Sequence, residues 1–349
     1  MGKLYQCKNC GSVMEFDPES GTLKCPSCGD SVEIENIEEN IKEHRMTREA
    51  LGTIRAEEKT SHTMVCQGCG AKVEVDATST AAECPYCGSK YVLSEKQEDA
   101  LIPDGVIPFR FDRETAGHKF HSWVKGRFWA PGELKNLYQR DRLQGIYLPY
   151  WIFDARTETD YRARGGRVHH ETYRDSDGKT RTRTYVTWHD VSGHLSYQFD
   201  DLLIPASDKL DLGLLDGMDH FNTEELASYS PEYLSGYGAE CFCISLDSAH
   251  GQAIQEMKNR LTQMADGEVL SRYDQVDGMR IYPVFSGETY KHVLVPVYAT
   301  AYQYRDKVYH VLINGQTGMI KGEYPKSIFK IALCVLLVIL FLLLFFYFF

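Results

Sequence analysis

The last 19 residues of the chain, Ile331 to Phe349, contain no charged residue and no proline. A helix of this length rises about 1.5 Å per residue and is roughly 28 Å long, close to the hydrocarbon thickness of a bilayer. A core helix of a soluble protein normally carries a polar stripe, and this segment is apolar all round. The sequence therefore predicts one C-terminal transmembrane helix, with residues 328–349 in contact with the lipid bilayer.

The charges beside the apolar segment predict its orientation. Lys321, Lys326 and Lys330 precede it and no charged residue follows it. Since Lys and Arg are retained on the cytoplasmic side of a membrane, we expect the preceding domains to face the cytosol. The first residues lack the apolar core of a signal peptide. The expected location is the cell membrane, with a single pass and a cytoplasmic N-terminal part.

Two four-cysteine cassettes occupy the N-terminal part of the chain, and each cysteine of the first recurs at a constant offset in the second. Each cassette has two Cys-x-x-Cys-Gly turns, which direct four sulfurs to one point. In a reducing cytosol such pairs are typical of metal binding and not of disulfides. Four thiolates form the closed, structural type of zinc site. The sequence predicts two zinc ions per chain, held by Cys7, Cys10, Cys25, Cys28, Cys66, Cys69, Cys84 and Cys87.

The spacing predicts a zinc ribbon over residues 1–32 and another over residues 63–96. Rubredoxin-like iron centres use similar turns, so iron is the alternative metal. A ribbon this small depends on its metal to fold. The connecting segment, residues 33–62, is expected to be a charged linker that is either partly helical or partly ordered.

Residues 100–324 are rich in aromatic residues, and their pattern predicts a cytosolic α+β domain with an antiparallel sheet. A helix with Phe120, Trp123, Val124 and Phe128 on one face precedes strands that begin near Ile146. The same order returns later, where a strand at Cys241–Asp247 precedes a helix with Ile254, Met257, Leu261 and Met264 on one face. Strands from His292 follow it. This repeated order of strand, helix and strands suggests an internal duplication, in which Leu148 and Val295 occupy equivalent positions of the two halves.

A long hairpin is expected from Arg162 to Tyr197, with its turn at Asp175-Ser-Asp-Gly178. The hairpin is the most basic part of the chain, which favours either an acidic or lipid partner or simply solvated strand faces. His169 and His170 are adjacent in a strand, so their side chains point to opposite faces and joint metal binding is not expected. Cys241 and Cys243 are interpreted as buried small apolar residues.

The two cassettes, the segment Leu148-Pro-Tyr-Trp-Ile-Phe-Asp154, the turn Asn314-Gly-Gln-Thr-Gly318 and the apolar tail together resemble a bacterial family. It comprises the TFIIB-type zinc ribbon-containing membrane proteins, which are YdjG-like. Some members carry a primosomal helicase-like name, which this chain does not support because it lacks a phosphate-binding loop. The resemblance implies a membrane protein that works with PspA-like and flotillin-like proteins in envelope stress.

The expected function is a non-enzymatic, membrane-tethered cytosolic adaptor whose structural zinc ribbons bind protein partners. The alternative is a membrane-associated nucleic-acid-binding protein. Residues 1–96 contain 16 acidic and 11 basic residues, and the whole chain has a net charge of −11. Nucleic acid is bound mainly through basic residues, so a nucleic-acid partner is unlikely on charge. Enzyme activity is not expected either, because the sequence has no phosphate loop, zinc-protease motif or nucleophile elbow.

Overall fold

The computed structural model describes residues 5–34, 41–53, 61–65, 72–76, 79–83, 90–92, 102–131, 143–207, 218, 220–240, 242–304 and 307–348. The side chains of residues 53, 61–92, 301–308 and 348 are not part of this description. The helices are α1 (Arg48–Thr53), α2 (Arg113–Lys125), α3 (Leu246–Leu270) and α4 (Ile328–Phe348).

The strands, in chain order, are β1 (Glu15–Asp17), β2 (Thr22–Lys24), β3 (Ser31–Glu33), β4 (His44–Arg45), β5 (Ser61–Val65), β6 (Lys72–Asp76), β7 (Ser79–Glu83), β8 (Lys90–Val92), β9 (Gly105–Val106), β10 (Gln144–Arg174), β11 (Thr180–Pro205), β12 (Ala227–Ser228), β13 (Gly238–Glu240), β14 (Gln275–Tyr304), β15 (Lys307–Asn314) and β16 (Ile320–Gly322). Two 3₁₀ turns lie at Thr223–Glu225 and Pro231–Leu234. The chain is therefore a sheet-rich α+β protein, as its pattern predicts.

The sheet is built around β10 and β14, which pair in antiparallel fashion along most of their length. From residue 155 to residue 165, β10 alternates strictly between buried and exposed positions. The buried positions are small or aromatic residues such as Thr157, Thr159 and Tyr161, and α3 covers this face. The exposed positions are mainly charged. This period of two is the pattern of a sheet with one face on a core and one in solvent.

Helix α3 begins at the N-cap Ser245, whose hydroxyl accepts a hydrogen bond from the Ser248 amide. Its buried stripe consists of Leu246, Ala249, Ala253, Met257, Leu261, Ala265 and Val269. Met257 and Leu261 were expected there, but Ile254 and Met264 lie beside the stripe and are half-buried. Three of the seven buried positions are alanines, whose small side chains let the helix lie close to the sheet.

Helix α2 begins at Asp112, whose carboxylate accepts a hydrogen bond from the Thr115 amide at 2.8 Å. Phe120 and Val124 are buried as predicted. The placement of Phe128 on the same helical face is wrong, because the helix ends at Lys125 and Phe128 is exposed.

The two halves of the sheet pair in a symmetric way. Leu148 of β10 lies directly opposite Val295 of β14. The short strand before each helix then pairs in parallel with the long strand of the other half, β13 with β10 and β9 with β14.

The strand predicted at Cys241–Asp247 is wrong in position: β13 ends at Glu240, and residues 242–245 belong to no strand. Cys241 lies outside the described residues.

The predicted hairpin is confirmed and is longer than expected, since β10 and β11 pair from Tyr150 to Arg174. Its turn is at Asp175–Gly178, where the Gly178 amide donates to the Asp175 carbonyl at 2.9 Å. Gly178 has a φ of +76°, a conformation that glycine adopts without steric cost. Arg164 pairs with Asp277, and Arg181 pairs with Asp175. Part of the basic charge of the hairpin is therefore neutralised locally.

The N-terminal segments pack onto this sheet. The linker contributes β4, which pairs with β14, and α1, whose Leu51 joins the core beneath α3. β7 of the second cassette pairs with β13.

At the other end of the chain, α4 is long and apolar enough to cross a membrane, with a mean hydropathy of 3.2 over Ile328–Tyr347.

Candidate metal centre

The first cassette forms a three-stranded sheet, β1–β2–β3. One cysteine turn, at residues 7–11, precedes β1, and the other, at residues 25–29, joins β2 to β3. In both turns the first cysteine accepts a hydrogen bond at 2.9 Å through its carbonyl, from the Gly11 amide in one turn and the Gly29 amide in the other. The two glycines have φ values of +74° and +78°. This left-handed conformation lets the chain fold back around the sulfurs, which explains the glycine after each second cysteine.

The four sulfurs of this cassette converge. The Sγ atoms of Cys7, Cys10, Cys25 and Cys28 all lie within 4.8 Å of one another. Cys7 is 3.6 Å from Cys28, and Cys10 is 3.4 Å from Cys25, between Sγ atoms. A tetrahedral zinc ion with Zn–S bonds of about 2.3 Å requires sulfurs about 3.8 Å apart. These four cysteines therefore fit one zinc ion, and a site closed by four thiolates is structural.

Polar neighbours favour the thiolate form of one ligand. The hydroxyl and the amide of Ser12 donate hydrogen bonds to Cys10 and lower its pKa to about 6. Since the thiolate is the form that binds metal, Ser12 favours the ligand form of Cys10, whereas burial and the neighbouring cysteines raise the pKa of Cys28 to about 12. Ser12 is not recognisable as part of the site from the sequence, because the matching position of the other turn is Asp30.

The metal site is joined directly to the sheet domain. The Phe16 amide donates to the Ser235 carbonyl at 2.8 Å, and the Ser235 hydroxyl donates to the Met14 carbonyl at 2.7 Å. The Phe16 ring lies edge-on to Tyr233, with their centroids 5.2 Å apart. Gly236 has a φ of +92°, and a Cβ there would lie 2.9 Å from Glu15 Cβ. The ribbon is thus part of a continuous core that includes the domain.

The cysteines of the second cassette, Cys66, Cys69, Cys84 and Cys87, lie outside the described residues. The strands beside them are described: β5 pairs with β6 on either side of the first cysteine pair, and β7 pairs with β8 on either side of the second. Two hairpins with a Cys-x-x-Cys segment between their strands match the arrangement of the first cassette. The second zinc ion stays a prediction.

A group of three carboxylates, Asp154, Asp200 and Asp201, also lies close enough together to hold a cation. A lysine already occupies this position. Lys291 Nζ lies 2.8 Å from Asp201 Oδ1, 3.9 Å from Asp154 Oδ2 and 3.2 Å from Glu43 Oε1. Burial disfavours its charged form, yet the hydrogen bond from Lys291 to Asp201 and the two aspartate charges raise the lysine pKa. This cluster is an internal ion pair that ties the linker to the sheet.

The histidines of the hairpin are partnered separately. His169 Nε2 lies 2.8 Å from the Thr187 hydroxyl, and His170 Nδ1 lies 3.1 Å from the Thr184 hydroxyl. A third histidine, His292, is buried beside Trp151 and Phe242, and burial lowers its pKa to about 3. It is therefore neutral at physiological pH.

Comparisons with known proteins agree with this geometry. Residues 5–45 match the protein family described as TFIIB zinc-binding. No solved structure matches the chain. The uncharacterized protein YdjG of Bacillus subtilis (strain 168) is 30% identical over 334 residues, which cover 94% of this chain and 92% of that protein. The chain therefore belongs to the same protein family as YdjG.

Proposed function

We propose that the protein is a non-enzymatic, membrane-tethered adaptor whose zinc-ribbon side binds protein partners at the cytoplasmic surface of the cell membrane. The observation that carries this proposal is the packing of the closed Cys₄ site onto a domain that leads into an apolar helix. β16 ends at Gly322 and α4 begins at Ile328, so few residues separate the folded domain from the proposed span. Four thiolates leave no open position on zinc, which suits a structural role.

A groove between the ribbon and the start of α2 is the surface that suits a partner best. It has a volume of about 610 Å³ and is lined by residues of both units. Its charged residues are Glu15, Asp17, Asp112 and Glu114 against Lys24 and Arg113. The excess of carboxylates favours a partner segment with basic side chains.

Charge also weighs against nucleic acid as the partner. Residues 5–34 contain five acidic residues and only two lysines, Lys8 and Lys24. Lys24 is engaged by Asp17, with Nζ and Oδ2 3.3 Å apart. Phosphate binding needs clustered cations that are free to contact it. A protein partner is therefore favoured over the nucleic-acid alternative.

We further propose that the second cassette binds a second structural zinc ion and that the two strand–helix–strand halves arose by duplication. The symmetric register of β10 and β14 supports the duplication. The lysines before α4 support a cytoplasmic domain. The family resemblance suggests membrane-associated partners of the PspA-like or flotillin-like class.

The experiment that tests the adaptor role is cross-linked affinity purification from native membranes. Glu114, an exposed groove residue in the first turn of α2, is changed to Lys in the full chain. The matched control is Glu224→Lys, the same charge reversal at an exposed glutamate in the turn Thr223–Glu225. We expect Glu114→Lys to lose a protein that the parent and the control both retain. Recovery of the same proteins by all three chains would refute binding in the groove.

A further inference from the structure

The folded domain holds the first turn of α4 by direct hydrogen bonds. The Ser327 amide donates to the Trp129 carbonyl at 2.8 Å. Lys330 Nζ donates to the carbonyls of Phe128 at 2.9 Å and Ala130 at 2.8 Å. The loop of residues 128–130 is therefore fixed at the level of the third residue of α4.

This level corresponds to the edge of the hydrocarbon layer. The apolar stretch begins at Ile328, and its 20 residues span about 30 Å, the full thickness of that layer. Lys330 therefore enters the first turn of the span, where a charged amine is costly unless hydrogen-bonded. The carbonyls of residues 128 and 130 supply those bonds. The loop of residues 128–130 must therefore lie at the edge of the hydrocarbon layer, because the Lys330 amine would otherwise lose its hydrogen bonds.

The side chains beside this loop suit a membrane interface. Phe128 is 64% exposed, and Lys330 Nζ lies 5.8 Å from its ring centre. Phe329, which precedes Lys330 in the chain, is 78% exposed. The Arg127 guanidinium stacks on Trp123 at 4.5 Å and lies 5.5 Å from the Tyr324 ring centre. Its Nε atom is buried and has no hydrogen-bond partner among the described residues. Aromatic residues favour the interfacial layer, and a cation just above it meets lipid phosphates.

We propose that Phe128 inserts into the interfacial layer of the bilayer beside the start of α4, with Arg127 at the level of the lipid phosphates. This second membrane contact holds the domain against the bilayer in one orientation. The inference rests on the proposed membrane span, but it goes beyond that span. A span alone would leave the domain free to tilt, whereas contacts at both Phe128 and α4 fix it.

The test is depth-dependent quenching of tryptophan fluorescence in the full-length protein, reconstituted into phosphatidylcholine vesicles. Phe128→Trp is examined with lipids brominated near the top of the acyl chains. The matched control is Val284→Trp, because Val284 is 65% exposed on the outer face of the sheet. Leu340→Trp, near the middle of α4, is examined with lipids brominated deep in the chains. The emission of the parent protein is subtracted in each case.

We expect at least about twofold stronger quenching of the added tryptophan at residue 128 than at residue 284, as an interfacial side chain requires. Equal quenching at the two positions, with Leu340→Trp quenched, would overturn the interfacial contact and leave the span intact. An unquenched Leu340→Trp would overturn the span itself and the contact with it. The two failures are therefore distinguishable.

Discussion

Substitution of Tyr233 by Ala is expected to weaken zinc binding by the first ribbon, although Tyr233 belongs to the sheet domain. Tyr233 is buried and packs on Phe16 of the ribbon, with the ring centroids 5.2 Å apart. The folding of a small zinc ribbon is coupled to metal binding, so any contact that stabilises the folded ribbon also raises its zinc affinity. Removal of the Tyr233 ring should therefore lower the affinity of the four cysteines for zinc.

The size of the effect follows from the contact. An edge-on aromatic pair contributes about 0.5–1.5 kcal/mol beyond its buried area. Truncation of a buried aromatic costs about 3–5 kcal/mol in total, but much of that loss falls on the domain and not on the ribbon. We assign about 1–2 kcal/mol to the ribbon, which corresponds to about 5- to 30-fold weaker zinc binding at 1.4 kcal/mol per tenfold.

The assay is cysteine alkylation at rising chelator concentration, with mass spectrometry of the separate peptides. The peptide with Cys7 and Cys10 reports on the first ribbon alone, and the peptide with Cys66 serves as an internal reference. The matched control is Phe221→Ala, because Phe221 is a buried aromatic in a different part of the core. Unchanged protection of the first ribbon in Tyr233→Ala, or equal loss in Phe221→Ala, would show that the ribbon is an autonomous module and refute the reasoning.

Three further predictions concern the metal content and the Lys291 cluster. Elemental analysis should find two zinc ions in the intact chain, one in Cys25→Ser and none when Cys84→Ser is added; a single ion in the intact chain would exclude the second site. Lys291→Met leaves Asp154 and Asp201 without their cation, so urea denaturation should show a loss of about 3 kcal/mol in the free energy of unfolding; a loss well under 1 kcal/mol would contradict a buried ion pair. Folding raises the pKa of Lys291 above 10.5. Its contribution to the free energy of unfolding is therefore complete below pH 10.5 and is lost as the pH rises through the folded pKa. The loss of stability at alkaline pH should be smaller in Lys291→Met than in the parent.

The features that could be predicted from the sequence are those set by neighbours along the chain. The Cys-x-x-Cys-Gly turns, the Asp-Gly turn of the hairpin and the apolar α4 each need only a few consecutive residues or one uninterrupted stretch. Their local chemistry is sufficient, because a glycine with positive φ or an unbroken apolar run has few alternatives.

The contacts that could not be predicted join residues far apart in sequence. Met14 and Ser235 are 221 positions apart, and Lys291 and Glu43 are 248 positions apart. The sequence around one residue of such a pair gives no indication of which distant residue it contacts. The three buried alanines of α3 were missed for a different reason: hydrophobicity marks large apolar residues as the buried face, whereas close packing of a helix on a sheet also buries small ones. Phe128 was placed on α2 because its spacing suits a helix, but the helix had already ended at Lys125.

The length of β10 bears on what the basic hairpin can contact. At about 3.3 Å per residue, its 31 residues extend roughly 100 Å along the strand. Gln144, at its start, pairs with Ala299 in the part of the sheet that continues through β15 and β16 to α4. The turn at Asp175–Gly178 is at the opposite end of the strand. A hairpin of this reach can present Arg174 and Lys179 to an acidic partner well away from the base of α4. The loop that contains Phe128 is the part of the domain that we propose to contact lipid headgroups around that base.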